Sequence, residues 1–199
     1  GGALVSWFVE NCARAQKQEA KEQGKSVYEV LEAGMKDEPT GLLVLPHFAG
    51  AGTPYMDTEA AGAIVGLTLC HHTSDLYRAM MEGVVYEMML NMEHLEAAGI
   101  RPERLRATGG GAASRVWMQM KADMLNVPLV SLGNAEAGAV GCAMVSGVAA
   151  GVFKDLAEAA SVLIKEKETY LPRPAMHEAY RKHYQRYQKL YEAVRLLRN

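Results

Sequence analysis

The sequence is short of the features that most readily declare a function. Its three cysteines, Cys12, Cys70 and Cys142, stand far apart in 199 residues, so there is no disulfide framework and no CxxC metal or redox pair. Each sits beside apolar residues and is expected to be a small buried hydrophobe. Neither sign of charge dominates: 21 Lys and Arg face 23 Asp and Glu, a formal net charge of −2, without the basic excess of a nucleic-acid surface. No apolar run approaches the roughly 18 residues that a membrane span needs. The first residues, Gly1 to Phe8, show no basic segment ahead of an apolar one and so do not read as a signal peptide. GxSxG, HExxH and paired Cys/His nucleophile patterns are missing as well, which leaves hydrolase chemistry without a footing. A reducing cytoplasm is the expected setting, with neither nucleic acid nor membrane as a partner. The opening residue is Gly1, not Met, and helix-like sequence begins at once, so the chain is expected to be cut from something longer.

What is present is the balance of a globular protein, 49% hydrophobic and 22% charged residues, on a length that suits one domain with at most an appendage. Leu4, Val5, Phe8, Val9, Cys12, Ala13 and Ala20 recur at helical spacing and predict an amphipathic helix over 3–21, ended by Gly24. Ser26 with Glu29 forms a capping-box start for a second, short helix. Leu42–Leu45 is an unalternating apolar run, suited to a strand covered on both faces. A Gly- and Pro-rich loop over 47–61 follows, then a short strand at 63–67. The longest helix is predicted over 74–98, capped by Thr73 or Ser74 and stopped by Gly99. Its core stripe is read as Leu76, Met80, Val84, Met88, Met92 and Leu95, with its five methionines as core filling. A strand near Leu105–Thr108 runs into Gly109-Gly110-Gly111-Ala112-Ala113-Ser114 and a helix to Leu125. A strand over 127–132, a small-residue helix over 136–150 and an amphipathic segment over 156–164 come next. The terminal helix carries Tyr180, Tyr184, Tyr187 and Tyr191 at spacings of three and four, read as a face docked onto the domain because no surplus of positive charge surrounds it. Alternating strands and helices make the fold class α/β.

The triglycine is the sharpest local feature. A strand that runs into consecutive glycines and then a helix presents unpaired amides at the positive end of a dipole, fit for an anion or a nucleotide edge. It is neither of the common phosphate fingerprints, since Ser114 stands where GxGxxG needs its last glycine and no GK[ST] follows. Gly138 and Gly141 read first as close-packing positions, and could wall a cleft shared with the triglycine. His71-His72 lacks a third metal ligand at useful spacing. Asp57 and Glu59 fit turn formation as well as acid chemistry.

Three ordered stretches resemble the FGGY carbohydrate kinases. Gly62-Ala63-Ile64-Val65-Gly66-Leu67 and, seven residues on, Asp75-Leu76-Tyr77-Arg78-Ala79-Met80-Met81-Glu82 are similar to that family's second signature. Leu45 to Asp57 is similar to the loop before it, and Leu105–Leu125 resembles the adenosine motif. The resemblance implies an actin-like ATPase (ribonuclease H-like) C-terminal domain over 1–199, truncated at its N-terminal strands. A helical lead-in would span 1–40 and a C-terminal helix 174–197. It implies ATP or ADP with Mg2+ as cofactors, and a cofactor-binding set of Gly109, Gly110, Gly111, Ala112, Ser114, Gly138 and Gly141. Catalytic residues and most sugar contacts would belong to an absent N-terminal domain, so this chain by itself is expected to be inactive. Within the family the sequence is most similar to xylulokinases, implying transfer of the γ-phosphate of ATP to D-xylulose. Glycerol, gluconate, ribulose and fuculose kinases are the nearest alternatives, and a non-catalytic actin-like nucleotide-binding module is the alternative of a different class. A glycine turn that is merely structural also stays open. An exposed sheet edge leaves a homodimer open as a partner.

Overall fold

The structure, a computed structural model, describes residues 1–133 and 137–198. In chain order it comprises α1 (Gly2–Cys12), α2 (Arg14–Gln23), α3 (Val27–Ala33), β1 (Leu43–Leu45), β2 (Ala63–Val65) and the long α4 (Thr73–Ala97). Then come β3 (Leu105–Ala107), a 3₁₀ turn (Gly110–Ala112), α5 (Arg115–Leu125), β4 (Leu129–Leu132), α6 (Ala137–Ala149), α7 (Leu156–Leu163) and β5 (Glu166–Tyr170). Helices α8 (Pro174–Tyr187) and α9 (Leu190–Arg195) and a second 3₁₀ turn (Leu196–Arg198) complete it. These fall into two compact units, Gly1–Arg101 with Arg173–Asn199, and Pro102–Pro172.

In the first unit, local sequence sets most boundaries. Gly24 ends α2 in the left-handed region at φ +64°, a conformation that costs glycine nothing. Ser26 Oγ accepts from the Glu29 amide at 3.2 Å while the Glu29 carboxylate accepts from the Ser26 amide at 2.7 Å, the capping box that the sequence predicts. The single helix predicted over 3–21 is broken at Ala13 (φ −111°, ψ 38°). Its two halves differ in what they bury: α1 turns Leu4, Val5, Phe8 and Val9 inward, whereas α2 buries only Ala20. Strands β1 and β2 pair antiparallel, Leu43 opposite Val65 and Leu45 opposite Ala63. All of β1 is buried, as its unalternating apolar run requires.

Helix α4 differs most from its sequence reading. Asp75, at its third position, accepts from the His72 amide at 2.8 Å, so the helix starts from His72 and not from Thr73 or Ser74. The predicted stripe is wrong in phase. Leu76, Val84, Met88 and Met92 are only half-buried and Leu95 is exposed, whereas Tyr77–Gly83, Val85, Tyr86 and Met89 are buried. The reason is that α4 is covered on several sides. Gly83 lies against β1, where an added Cβ would stand 2.4 Å from the Val44 carbonyl oxygen. On another face Tyr86 stacks with Tyr187 at a centroid distance of 5.0 Å. A helix buried on two faces has no single stripe to find.

The tyrosine face of the terminal segment docks as the spacing predicts: Tyr180, Tyr184, Tyr187 and Tyr191 are all buried. Tyr180 donates to Glu82 Oε1 at 3.3 Å and accepts from Arg78 at 2.7 Å. Asp57 accepts from Tyr191 at 2.8 Å, from Arg198 at 2.6 Å and from the Glu59 amide at 3.0 Å, which makes it a structural clamp. All three cysteines are exposed, contrary to the buried role expected of them. Cys12 ends α1, Cys70 lies in the turn before α4, and Cys142 is on α6, which buries none of its described residues.

In the second unit β3 and β4 run parallel, and β5 pairs antiparallel with the other side of β4. Strand β5 has no counterpart in the sequence reading, because Glu-Lys-Glu-Thr-Tyr is polar up to its last residue and mostly exposed, with Glu168 half-buried and Tyr170 buried. Met118, Ala122, Leu129 and Tyr170 form one buried hydrophobic cluster of the unit. Helix α6 follows the predicted small-residue segment, whose first residue, Glu136, lies outside the described residues. Close packing is expected of Gly138 and Gly141, yet among the described residues a Cβ on either would meet nothing within 4 Å. Gly147 packs closely on this helix: an added Cβ would stand 2.6 Å from the Phe153 ring.

Two outcomes follow for the first unit. Gly83→Ala gains roughly 1 kcal/mol of helix propensity but forces α4 away from β1, an overpacking cost of roughly 1–3 kcal/mol or more. A net loss of stability is expected, read as a lower denaturant midpoint. The Asp57 carboxyl is held down at about 2 by Arg198 and Tyr191. A depressed carboxyl stabilises the fold above its unfolded pKa of about 3.9, and that contribution disappears as pH falls toward the folded value. Asp57→Asn should therefore lower stability near neutral pH and flatten the pH dependence of unfolding between about 4 and 2, as followed by circular dichroism.

Candidate functional site

The site grows from the carboxyl ends of two parallel strands, where an open α/β sheet presents its crevice. After β3 the chain passes Thr108 to Gly109, whose φ of +82° belongs to the left-handed region that favours glycine. The next residues curl into the 3₁₀ turn, with the Ala112 amide donating to Gly109 O at 2.9 Å and the Ala113 amide to Gly110 O at 3.1 Å. Ser114 caps α5 by accepting from the Trp117 amide at 3.0 Å. The turn is thereby fixed to the amino end of an 11-residue helix, where the dipole is positive.

A cleft of about 550 Å³ opens beside it. Thr108, Gly109, Ala112, Ala113 and Arg115 line one side, Ser131–Gly133 at the end of β4 line its floor, and Lys167, Glu168 and Tyr170 of β5 line the other side. Arg115 pairs with Glu168, and Tyr170 donates to the same carboxylate at 2.7 Å. The Arg115 guanidinium holds the Glu168 carboxyl below its usual range. Ser131 Oγ accepts from the Glu168 amide at 3.2 Å, which tethers β5 to β4 beside the cleft. The arrangement offers backbone amides, a positive helix end and two cations, Arg115 and Lys167, to one ligand-sized space.

Of the predicted set, Gly109 and Ala112 line this cleft, Gly110 and Gly111 continue the same turn, and Ser114 caps the helix that follows. Gly138 and Gly141 lie on α6 and are not among the lining residues. Among the described residues a Cβ at Gly109 or Gly110 would meet nothing within 4 Å, whereas one at Gly111 would meet the Trp117 ring at 3.0 Å. So the first two glycines face open space and the third is packed. Ser131, Lys167, Glu168 and Tyr170 escaped the sequence reading. The parallel-strand rule points to Ser131, but nothing local announces an exposed edge strand such as β5. Elsewhere, His71 Nδ1 accepts from the Thr68 amide at 3.0 Å, and among the described residues no three His, Cys, Asp or Glu side chains gather as a metal site. Gly111→Ala should destabilise the chain by roughly 1–2 kcal/mol through its clash with Trp117. Gly110→Ala should shift the denaturant midpoint only slightly, and equal effects would contradict the packing described.

Known proteins bear directly on this geometry. Residues 1–150 match the C-terminal domain of the FGGY family of carbohydrate kinases. A xylulose kinase of Staphylococcus epidermidis is 31% identical over 167 residues, 84% of this chain and 34% of that protein. A glycerol kinase of Lactococcus lactis is 32% identical over 172 residues, 86% of this chain and 32% of that protein. Among solved structures, a xylulose kinase from Rhodospirillum rubrum superposes with a TM-score of 0.79 at 30% identity, over 99% of this chain and 38% of that one. The chain thus spans about a third of the length of the relatives it matches, and it shares the actin-like ATPase fold of these sugar kinases. With more than half of its length matched, the chain belongs to the FGGY family of carbohydrate kinases, of which it carries the C-terminal domain.

Proposed function

We propose that this chain forms the nucleotide side of an ATP-dependent carbohydrate kinase, with the adenosine of ATP or ADP lying on Gly109, Gly110, Gly111 and Ala112. The observation that carries the reading is the cleft at the ends of β3 and β4, walled by a glycine turn whose first two Cα atoms face open space. Absence of a Cβ there lets a ring or phosphate reach the backbone, and the amino end of α5 favours the negative charge of a nucleotide. Ser114 holds that end in place by capping it. Gly138 and Gly141 belong to the proposed set only as a border of the pocket.

ATP supplies the phosphoryl group, and Mg2+ is proposed to accompany it on the phosphates. Phosphoryl transfer is mostly positioning and charge stabilisation, and it needs a base on the attacking hydroxyl and a clamp on the phosphates. The one carboxylate among the lining residues, Glu168, is engaged by Arg115 and Tyr170, so the catalytic base and most sugar contacts are assigned to the remainder of a longer kinase. D-xylulose, converted to D-xylulose 5-phosphate, is the proposed sugar on the strength of the likeness to xylulose kinases. The similar identity to a glycerol kinase supports a related polyol as the second reading.

Isothermal titration of the 199-residue chain with ADP tests the site. Weak binding is expected, and Gly110→Asp should reduce it at least about tenfold, because the new carboxylate enters the open space and repels phosphate. Equal affinity in the variant, or no binding by the parent chain, would remove the nucleotide from this turn. A coupled assay with ATP, Mg2+ and D-xylulose should show no turnover by this chain alone, and robust phosphorylation would overturn the division of labour.

A further inference from the structure

Gly111 is gripped by two side chains one helical turn apart on α5, Trp117 and Lys121. An added Cβ at Gly111 would lie 3.0 Å from Trp117 and 3.5 Å from Lys121 Nζ. The Lys121 ammonium stands 4.3 Å from the centre of the Trp117 ring and donates to the Gly111 carbonyl at 3.4 Å. Lys121 is buried, at 9% exposure, an unusual place for a lysine, and no carboxylate among the described residues is paired with it. An ammonium on an indole face is held by the ring's quadrupole, so the cation here stabilises one arrangement of ring, carbonyl and turn.

We infer that Lys121 is a positioning residue for the nucleotide: its ammonium, seated on Trp117, fixes the Gly111 carbonyl and with it the direction of the neighbouring amides, without touching the ligand. This rests on the proposed reading of the turn as the nucleotide site and adds a residue that acts through it. Burial alone lowers the Lys121 pKa, to about 8, so the cation that grips the turn is lost in a mildly alkaline range. Among the described residues the packed neighbours bring no competing partner. The 3₁₀ turn and β4 carry no ionisable side chain. On β5, Glu166 is paired with Arg104 and Arg106, Glu168 with Arg115 and Tyr170, and Lys167 faces the cleft. On α5 itself, Asp123 accepts from Gln119 at 2.9 Å.

ADP affinity measured upward from pH 7, where the charge of ADP is nearly constant, separates this from a merely structural lysine. In the parent chain binding should weaken as pH rises through about 8. Lys121→Met should bind roughly three- to tenfold more weakly at pH 7, the scale of one buried cation–π contact, with that pH dependence abolished. Lys121→Arg should restore binding and keep it constant with pH, because a guanidinium stays charged. A second readout needs no ligand. Trp7→Phe leaves Trp117 as the single tryptophan of the two in the sequence, and its emission should change across about pH 8 only while Lys121 is present. Unchanged ADP binding in Lys121→Met, beside lost binding in Gly110→Asp, would overturn this inference alone. Equal binding by Gly110→Asp would instead overturn the nucleotide reading and this inference with it. A Trp117 emission profile indifferent to Lys121 would show that the ammonium does not sit on the ring, and would overturn the inference too.

Discussion

The first unit depends on one buried carboxylate. Glu82 is fully enclosed and accepts from the Thr40 amide at 3.2 Å, from Thr40 Oγ1 at 2.7 Å, from Arg78 Nε at 3.0 Å and from Tyr180. An ionised group taken out of water costs several kcal/mol unless it is paired and hydrogen-bonded, and removing one partner of such a pair costs about 3–5 kcal/mol. The donors come from the loop before β1, from α4 itself and from α8, which follows it by about a hundred residues. Hydrophobic burial can be satisfied by many arrangements, but four donors on one carboxylate cannot. The position of the terminal tyrosines follows: once Tyr180 reaches Glu82, the stacking of Tyr184 and Tyr187 on Tyr86 lies one and two turns further along the same helix. The Asp57 clamp on Tyr191 and Arg198 fastens the far end of that segment.

The second unit follows a different rule. One of its buried clusters, Met118, Ala122, Leu129 and Tyr170, has Leu105, Ala107 and Ala112 packed partly against it, and its candidate site includes a turn made mainly of backbone. A backbone site needs its carbonyls and amides held at fixed angles, and glycines by themselves do not hold them. In this chain the rigidity comes from the helix behind the turn: Ser114 ties the Trp117 amide in the first turn of α5, and Trp117 fills the space that a third Cβ would take. The same substitution therefore has opposite meanings at adjacent positions, open space at Gly110 and a collision at Gly111.

Legibility in the sequence tracks how local the cause is. The capping box at Ser26, the stop at Gly24, the doubly covered β1 and the tyrosine face were all readable, because each is decided within one turn or one strand. The turn at Gly109–Ala112 was readable for the same reason. The phase of α4 was not, since burial by β1 on one face and by α8 on another erases the single stripe that periodicity detects. Strand β5 was invisible because an edge strand can be polar along most of its length. The cysteines were misjudged by their apolar sequence neighbours, which say nothing about which way a side chain at a helix end points. The Trp117–Lys121 spacing was present from the start, yet only the geometry shows that it closes on a glycine carbonyl.

The two kinds of likeness to known proteins have a common physical origin. A xylulose kinase and a glycerol kinase resemble this chain to nearly the same degree, although the sugars in their names differ in size and shape. A domain that contacted the sugar closely would be reshaped by such a difference. One that presents amides and a helix end to the phosphoryl donor would not, because the donor is the same for every member of a family of ATP-dependent phosphotransferases.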